Sequence, residues 1–132
     1  MQTKKTLRVG IVVGEHSGDL LGSELIKSLK NENDTDIELF GIGGPKLSEL
    51  GLKSEFDFKK INVMGLVEPL KNFRELNKLR KKLISLFEDK KIDYFIGVDS
   101  PDFNITIHKQ LKKKGHTKNI QLVSPSVWVW RQ

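Results

Sequence analysis

Residues 94–105 read YFIGVDSPDFNI, and the order of the parts decides the fold. Tyr94 to Val98 are apolar or glycine with no polar alternation, the composition of a strand buried on both faces of a parallel sheet. Asp99 follows where a strand of an open α/β sheet releases the chain into the crevice at its carboxyl edge. Ser100-Pro101-Asp102 then has the form of a helix start, with Ser100 as N-cap and Pro101 at the first helical position. Phe103, Ile107 and Leu111 carry that helix on at its own spacing. A carboxylate at Asp99 can serve as a base, as a ligand or as a cap for the next helix. The local sequence leaves all three open.

Working outward, the same unit recurs. Leu7 to Val13 (LRVGIVV) reads as a buried first strand, GEHSGD as the turn out of it, and Leu20, Leu21, Leu25, Ile26 and Leu29 as one stripe of a helix. Ile37 to Ile42 predicts a second strand, ending in Gly43-Gly44-Pro45 and a short helix to Leu50. Phe56 and Phe58 alternate as in a brief third strand, and Val63 to Leu70 (VMGLVEPL) reads as loop or broken helix. Leu76, Leu79, Leu83, Leu86 and Phe87 form the stripe of a long helix. Ile120 to Val123 is a last strand, and Ser124 to Gln132 trails on without a helix after it. Strand and helix alternate throughout. The expectation is an α/β fold, a Rossmann-like parallel sheet with helices on both faces, forming one domain.

Composition narrows the chemistry. The 132 residues contain no cysteine, which excludes disulfides, thiolate metal ligands and a cysteine nucleophile. The apolar run after Lys4, Lys5 and Arg8 is too short for a signal peptide, so the default location is cytosolic. The net charge of +6 is concentrated. From Lys71 to Lys91 eight Lys or Arg residues stand against Glu75, Glu88 and Asp89, and Lys109, Lys112, Lys113, Lys114 and Lys118 make a second cluster. Such faces suit nucleic acid, an anionic membrane surface, or solubility alone. The aromatic interleaving of a single-stranded nucleic-acid platform is missing. Met64, Leu66, Val67, Leu70, Phe73 and Leu76 instead set an apolar segment beside the basic helix, the composition of an interfacial membrane contact, with core packing as the alternative. Membrane therefore ranks above nucleic acid.

Two glycine turns end strands. In GEHSGDLLG, Gly14 and Gly18 allow a tight turn and close backbone approach, and the free amides of the helix after Ser17 can hold an anion. The loop is neither a G-x-G-x-x-G fingerprint nor a Walker loop, and a capped turn with Asp19 near the helix N-terminus is the plain alternative. Glu15 directly follows a buried strand. In GIGGPK, Gly43 and Gly44 make room for a ligand or supply a positive-φ turn, and Lys46 can meet a phosphate. His16, His108 and His116 form no cluster; His108 and His116 read as solvated, and no metal site is expected. Aspartate is a weak base at neutral pH, so Asp99 in that role calls for burial or a like charge, with Glu15 and Asp102 as candidate neighbours.

In order along the chain, GEHSGDLLG, GIGGPK, VMGLVEPL, GVDSPDFNI and SPSVWVWRQ resemble the N-terminal part of the lipid-A-disaccharide synthase family, from about Leu7 to Gln132. The resemblance implies an inverting glycosyltransferase of GT-B fold. It would join UDP-2,3-diacylglucosamine to 2,3-diacylglucosamine 1-phosphate at the cytoplasmic face of the inner membrane, with no cofactor and no required metal. It further implies Asp99 as the base acting on the acceptor 6-hydroxyl. Gly14, Glu15, Ser17, Gly18, Asp19, Gly44 and Asp102 would line the acceptor side, and the segment from Met64 to Leu76 would meet acyl chains and an anionic membrane surface. His16, Pro69 and Asn77 depart from the family's usual pattern. On this reading the chain is an incomplete acceptor-side domain without its nucleotide-sugar domain, expected to bind UDP poorly and to be inactive alone. Self-association of the full-length enzyme is left open. The competing readings are a non-catalytic module for an anionic lipid or sugar phosphate, and a basic docking surface for another protein.

Overall fold

The structure is a computed structural model that describes residues 6–33, 35–58, 60–61, 71–99, 101–115 and 117–122. Five strands alternate with helices: β1 (Thr6–Val13), α1 (His16–Asn33), β2 (Asp36–Ile42), α2 (Pro45–Glu49), β3 (Lys53–Ser54), α3 (Phe73–Lys90), β4 (Tyr94–Val98), α4 (Pro101–Lys114) and β5 (Lys118–Leu122). Every pairing is parallel, in the order β3-β2-β1-β4-β5. This is the Rossmann-like α/β fold that the alternation of strand and helix implies.

The central strands are the ones whose sequences are apolar without interruption. Val9, Ile11, Val12, Val13, Phe95 and Val98 are completely buried, because both faces of β1 and β4 are covered. The outer strand β5 alternates polar and apolar residues and stays largely exposed. A Cβ on Gly10 would meet Phe87 and Ile92, while Ile11 approaches Gly22 of α1, so successive β1 residues look toward α3 and α1 in turn. α1 packs beside α2 on one face, and α3 beside α4 on the other. Leu76, Leu79, Leu83 and Phe87 are the buried stripe of α3, with Leu86 partly buried beside them. α3 ends on Lys91 in a left-handed conformation (φ 52°), with Lys91 N–H donating to Glu88 and Ile92 N–H to Phe87. That cap aims Ile92 into the core and starts β4.

Strand order reverses between β1 and β4. β1 runs through α1 to β2 on one side, whereas β4 lies on β1's other side and runs through α4 to β5. The carboxyl ends of β1 and β4, paired as far as Val13 and Val98, thus form the topological switch point where open α/β sheets hold ligands.

Several boundaries differ from the sequence expectation. The third strand is Lys53–Ser54, not the Phe56–Phe58 stretch; Phe56 sits in a bend and Phe58 in a helical turn, buried as core. Their alternation reflected two separate packing contacts. Leu20 is 49% exposed, so it leaves the α1 stripe, whose buried residue is Ile26. Ser100, His116, the 62–70 segment and the 123–132 segment lie outside the described residues. No described helix is long and apolar enough to cross a membrane.

Candidate active site at the ends of β1 and β4

β1 ends at Val13, and the chain passes through buried Gly14 and half-buried Glu15 straight into α1. His16 is helical rather than part of a loop, and its ring packs edge-on against Phe58 at 5.1 Å. The Glu15 carbonyl accepts the Asp19 N–H at 3.0 Å, the first bond of the helix. The amides of the first turn are thereby left for partners outside the helix, at the crevice. Ser17 is exposed there.

Gly18 sets how closely α1 approaches the sheet. A Cβ at Gly18 would stand 3.1 Å from Val98 Cγ1, 3.6 Å from Val13 Cβ and 3.4 Å from Asp99 Oδ2. The glycine is helical, so its use here is close approach and not a turn. The same numbers bring the Asp99 carboxylate onto the first turn of α1. Oδ2 is shielded from solvent, while Asp99 as a whole is half-buried. Asp99 also has a left-handed backbone, φ 54°. Aspartate tolerates that region better than most residues, yet it costs an L-amino acid roughly 1–2 kcal/mol. Three hydrogen bonds hold it: Asp99 N–H donates to the Leu122 carbonyl at 2.8 Å, and the Asp99 carbonyl accepts from Asn104 Nδ2 at 3.0 Å and Gln121 Nε2 at 2.9 Å. At about 0.5–1.5 kcal/mol apiece, one bond would barely offset the strain and three do so comfortably.

Asp19 does something the sequence did not reveal. It is 1% exposed and reaches from α1 to the GGPK turn, where Oδ1 accepts from the amides of Gly44 (2.9 Å) and Leu47 (3.1 Å), and Oδ2 from Lys46 (2.8 Å). It caps α2 across 25 and more residues of sequence. Gly44 has φ −104°, so no positive-φ turn exists at that glycine; the reason for it is space, since a Cβ would fall 2.8 Å from Asp19 Oδ2. Gly44 and Asp19 are thus one packing unit at the carboxyl edge of β2, beside the β1 loop.

The remaining expected residues divide. Asp102 lies in the first turn of α4, and its side chain is outside the described set, as are Met64, Leu66, Val67 and Leu70. Phe73 is 56% exposed, but Leu76 is a core residue on the buried face of α3 and has no surface to offer a membrane. His108 is corrected as well: it is half-buried, its ring meets Phe95 at 4.8 Å, and its nitrogens lie 3.1 Å from Asn119 Oδ1 and 3.0 Å from Gln121 Oε1. Asn104, Gln121 and Arg80 were missed. Arg80 stacks on the Phe103 ring at 4.7 Å and donates to its carbonyl at 3.0 Å, tying α3 to the first turn of α4. The available signals were a polar residue beside an apolar helical stripe (Asn104) and the Asn119/Gln121 alternation opposite a histidine. Among the described residues no group of three potential ligands could hold a metal ion.

Against known proteins, a sequence model of the lipid-A-disaccharide synthetase family matches residues 9–132. The chain belongs to this family. It is 49% identical over 129 residues to the lipid-A-disaccharide synthase of Pseudoalteromonas translucida (strain TAC 125), covering 98% of this chain and 33% of that protein. To the synthase of Pseudomonas fluorescens (strain Pf0-1) it is 48% identical over 126 residues, 96% of this chain and 33% of the relative. To that of Vibrio vulnificus (strain YJ016) it is 47% identical over 130 residues, 98% and 34% respectively. The chain therefore spans about a third of the length of the curated synthases it matches.

The Asp19 contacts generate a stability prediction. Asp19→Ala strands three backbone amides and is expected to cost about 3 kcal/mol in urea denaturation at unchanged m-value. A loss below about 0.5 kcal/mol, the range of ordinary surface substitutions, would mean that the carboxylate does not hold the turn.

Proposed function

We propose that this chain supplies the acceptor side of a lipid-A-disaccharide synthase, with Asp99 as general base. The observation that carries the reading is the convergence of Asp99, Gly18 and the Glu15 loop at the β1–β4 switch point of a chain that belongs to this family. In the reaction, the Asp99 carboxylate takes the proton of the 6-hydroxyl of 2,3-diacylglucosamine 1-phosphate. The freed oxygen pair forms a bond to the anomeric carbon of UDP-2,3-diacylglucosamine. The bond from that carbon to the UDP phosphate oxygen breaks on the opposite side, UDP leaves with the electron pair, and the configuration inverts. Glu15, Ser17, Gly18 and Asp102 border the acceptor, while Asp19 and Gly44 shape the adjoining wall through the GGPK turn. The nucleotide-sugar half of the cleft belongs, on this proposal, to the length that the relatives carry beyond the matched third.

A lipid-bearing acceptor has to reach the carboxyl edge of the sheet. Helices of this fold run back antiparallel to the strands, so their first turns lie at that edge. Three of the exposed large apolar residues are there: Leu20 in α1, Phe73 in α3 and Ile105 in α4. Arg74 and Lys78 are exposed in the first two turns of α3, toward the same edge, whereas Lys109, Lys112 and Lys113 are exposed farther along neighbouring α4. Each cation near an anionic lipid surface adds about 1 kcal/mol, enough in sum for reversible recruitment to the cytoplasmic leaflet.

Two measurements test the proposal. In the longest natural polypeptide containing this sequence, Asp99→Asn is expected to lower kcat by about 10²–10⁴ with acceptor affinity kept, the usual contribution of a positioned base. Unchanged turnover would leave Asp99 a structural residue. In co-sedimentation, the protein is expected on phosphatidylglycerol vesicles and not on phosphatidylcholine ones. Salt near 1 M, where the Debye length is about 3 Å, should release it. Equal binding to both vesicles would contradict an electrostatic contact.

A further inference from the structure

Strand alternation by itself would send the Asp99 side chain the wrong way. Gly97 looks toward α4, because a Cβ there would lie 2.8 Å from Asn104 Nδ2 and 2.4 Å from Gln121 Oε1. Val98 looks toward α1, at 3.1 Å from the Gly18 position. A continued strand would return Asp99 to the α4 side, with Gly97. Its Oδ2 is instead beside Gly18, on the α1 side. The left-handed φ makes the difference: the carbonyl turns toward α4 and β5, and the carboxylate toward α1.

We infer that Asn104 and Gln121 are positioning residues for Asp99, an inference that rests on reading Asp99 as the base. Their two side-chain amides grip the Asp99 carbonyl from α4 and from β5, and the bare Gly97 leaves the space in which they meet. Asn104 is completely buried, and its Oδ1 has no hydrogen-bond partner among the described residues. Its donor is what the site uses. Gln121 is exposed, so packing does not fix its rotamer. His108 does. With Nε2 of Gln121 donating to Asp99, its Oε1 faces His108 Nε2 at 3.0 Å, and that contact requires a hydrogen on the histidine nitrogen. The His108 ring is in turn packed edge-on against Phe95.

Gln121→Glu keeps the size and removes the donor, placing a carboxylate oxygen against the Asp99 carbonyl. Because Gln121 is exposed, the fold is expected to survive with its Tm nearly unchanged. In the longest natural polypeptide containing this sequence, Gln121→Glu is expected to lower kcat about 10- to 100-fold with the acceptor KM within about twofold, the scale of a misplaced reacting group. In the Asp99→Asn background it should add no further loss, because it acts only through that carboxylate. Losses that multiply, or a kcat within about twofold of the parent, would overturn the inference. A second readout needs no turnover. In the 132-residue chain, the strong intraresidue HN–Hα NOE that a left-handed φ gives Asp99 should weaken in Gln121→Glu. An unchanged NOE overturns the clamp whatever the fate of the base assignment, whereas full activity of Asp99→Asn with a weakened NOE overturns only the latter.

Discussion

Everything at the candidate site depends on one backbone conformation. Asp99 leaves a strand whose alternation would turn its side chain toward α4, and its φ of 54° delivers the carboxylate to α1 instead. The cost is small, and the hydrogen bonds from Asn104, Gln121 and to Leu122 outweigh it. A conformation that is locally unfavourable and externally held is what pre-organised sites use, because the group then has no other place to go. Strain here is an arrangement of the fold, made by contributions from three elements.

Those contributions exist only because of the sheet order. β5 lies next to β4, so Gln121 can reach across at the level of Asp99; α4 starts directly after Asp99, so Asn104 comes back over it within one turn. On the other face, Gly18 lets α1 descend onto Val98 and Val13 until its first turn meets the carboxylate. Asp19, one residue on, holds the GGPK turn and joins the ends of β1 and β2. Adjacent residues of one helix thus serve two purposes, close approach at Gly18 and a long-range cap at Asp19.

The fold was readable because its signals are local and strong. The uninterrupted apolar runs at 7–13 and 94–98 mark the two central strands, and the stripe from Leu76 to Phe87 marks a helix that covers them. Weak, short signals misled: Phe56 and Phe58 alternate like a strand but are a bend and a buried helical turn. Residue roles were harder to read than elements. Asp19 has the sequence context of an ordinary first-turn carboxylate, and its partners lie 25 to 28 residues away. His108 looks solvated in a lysine-rich helix until β5 is folded against it. Leu76 belonged to two patterns at once, the core stripe and an apolar surface segment, and burial assigns it to the first. Gly97 shows the same limit, since a glycine in a buried strand says only that something comes close, and the two amides that do are 7 and 24 residues away.

The central claim is that the left-handed turn at Asp99 aims a base at an acceptor hydroxyl. Its most direct test is a crystal structure with bound 2,3-diacylglucosamine 1-phosphate. The account predicts the acceptor 6-oxygen within hydrogen-bond reach of the Asp99 carboxylate, about 2.6–3.2 Å, with Asp99 still left-handed. An acceptor whose 6-hydroxyl is bound elsewhere, with Asp99 relaxed to an extended φ, would contradict it.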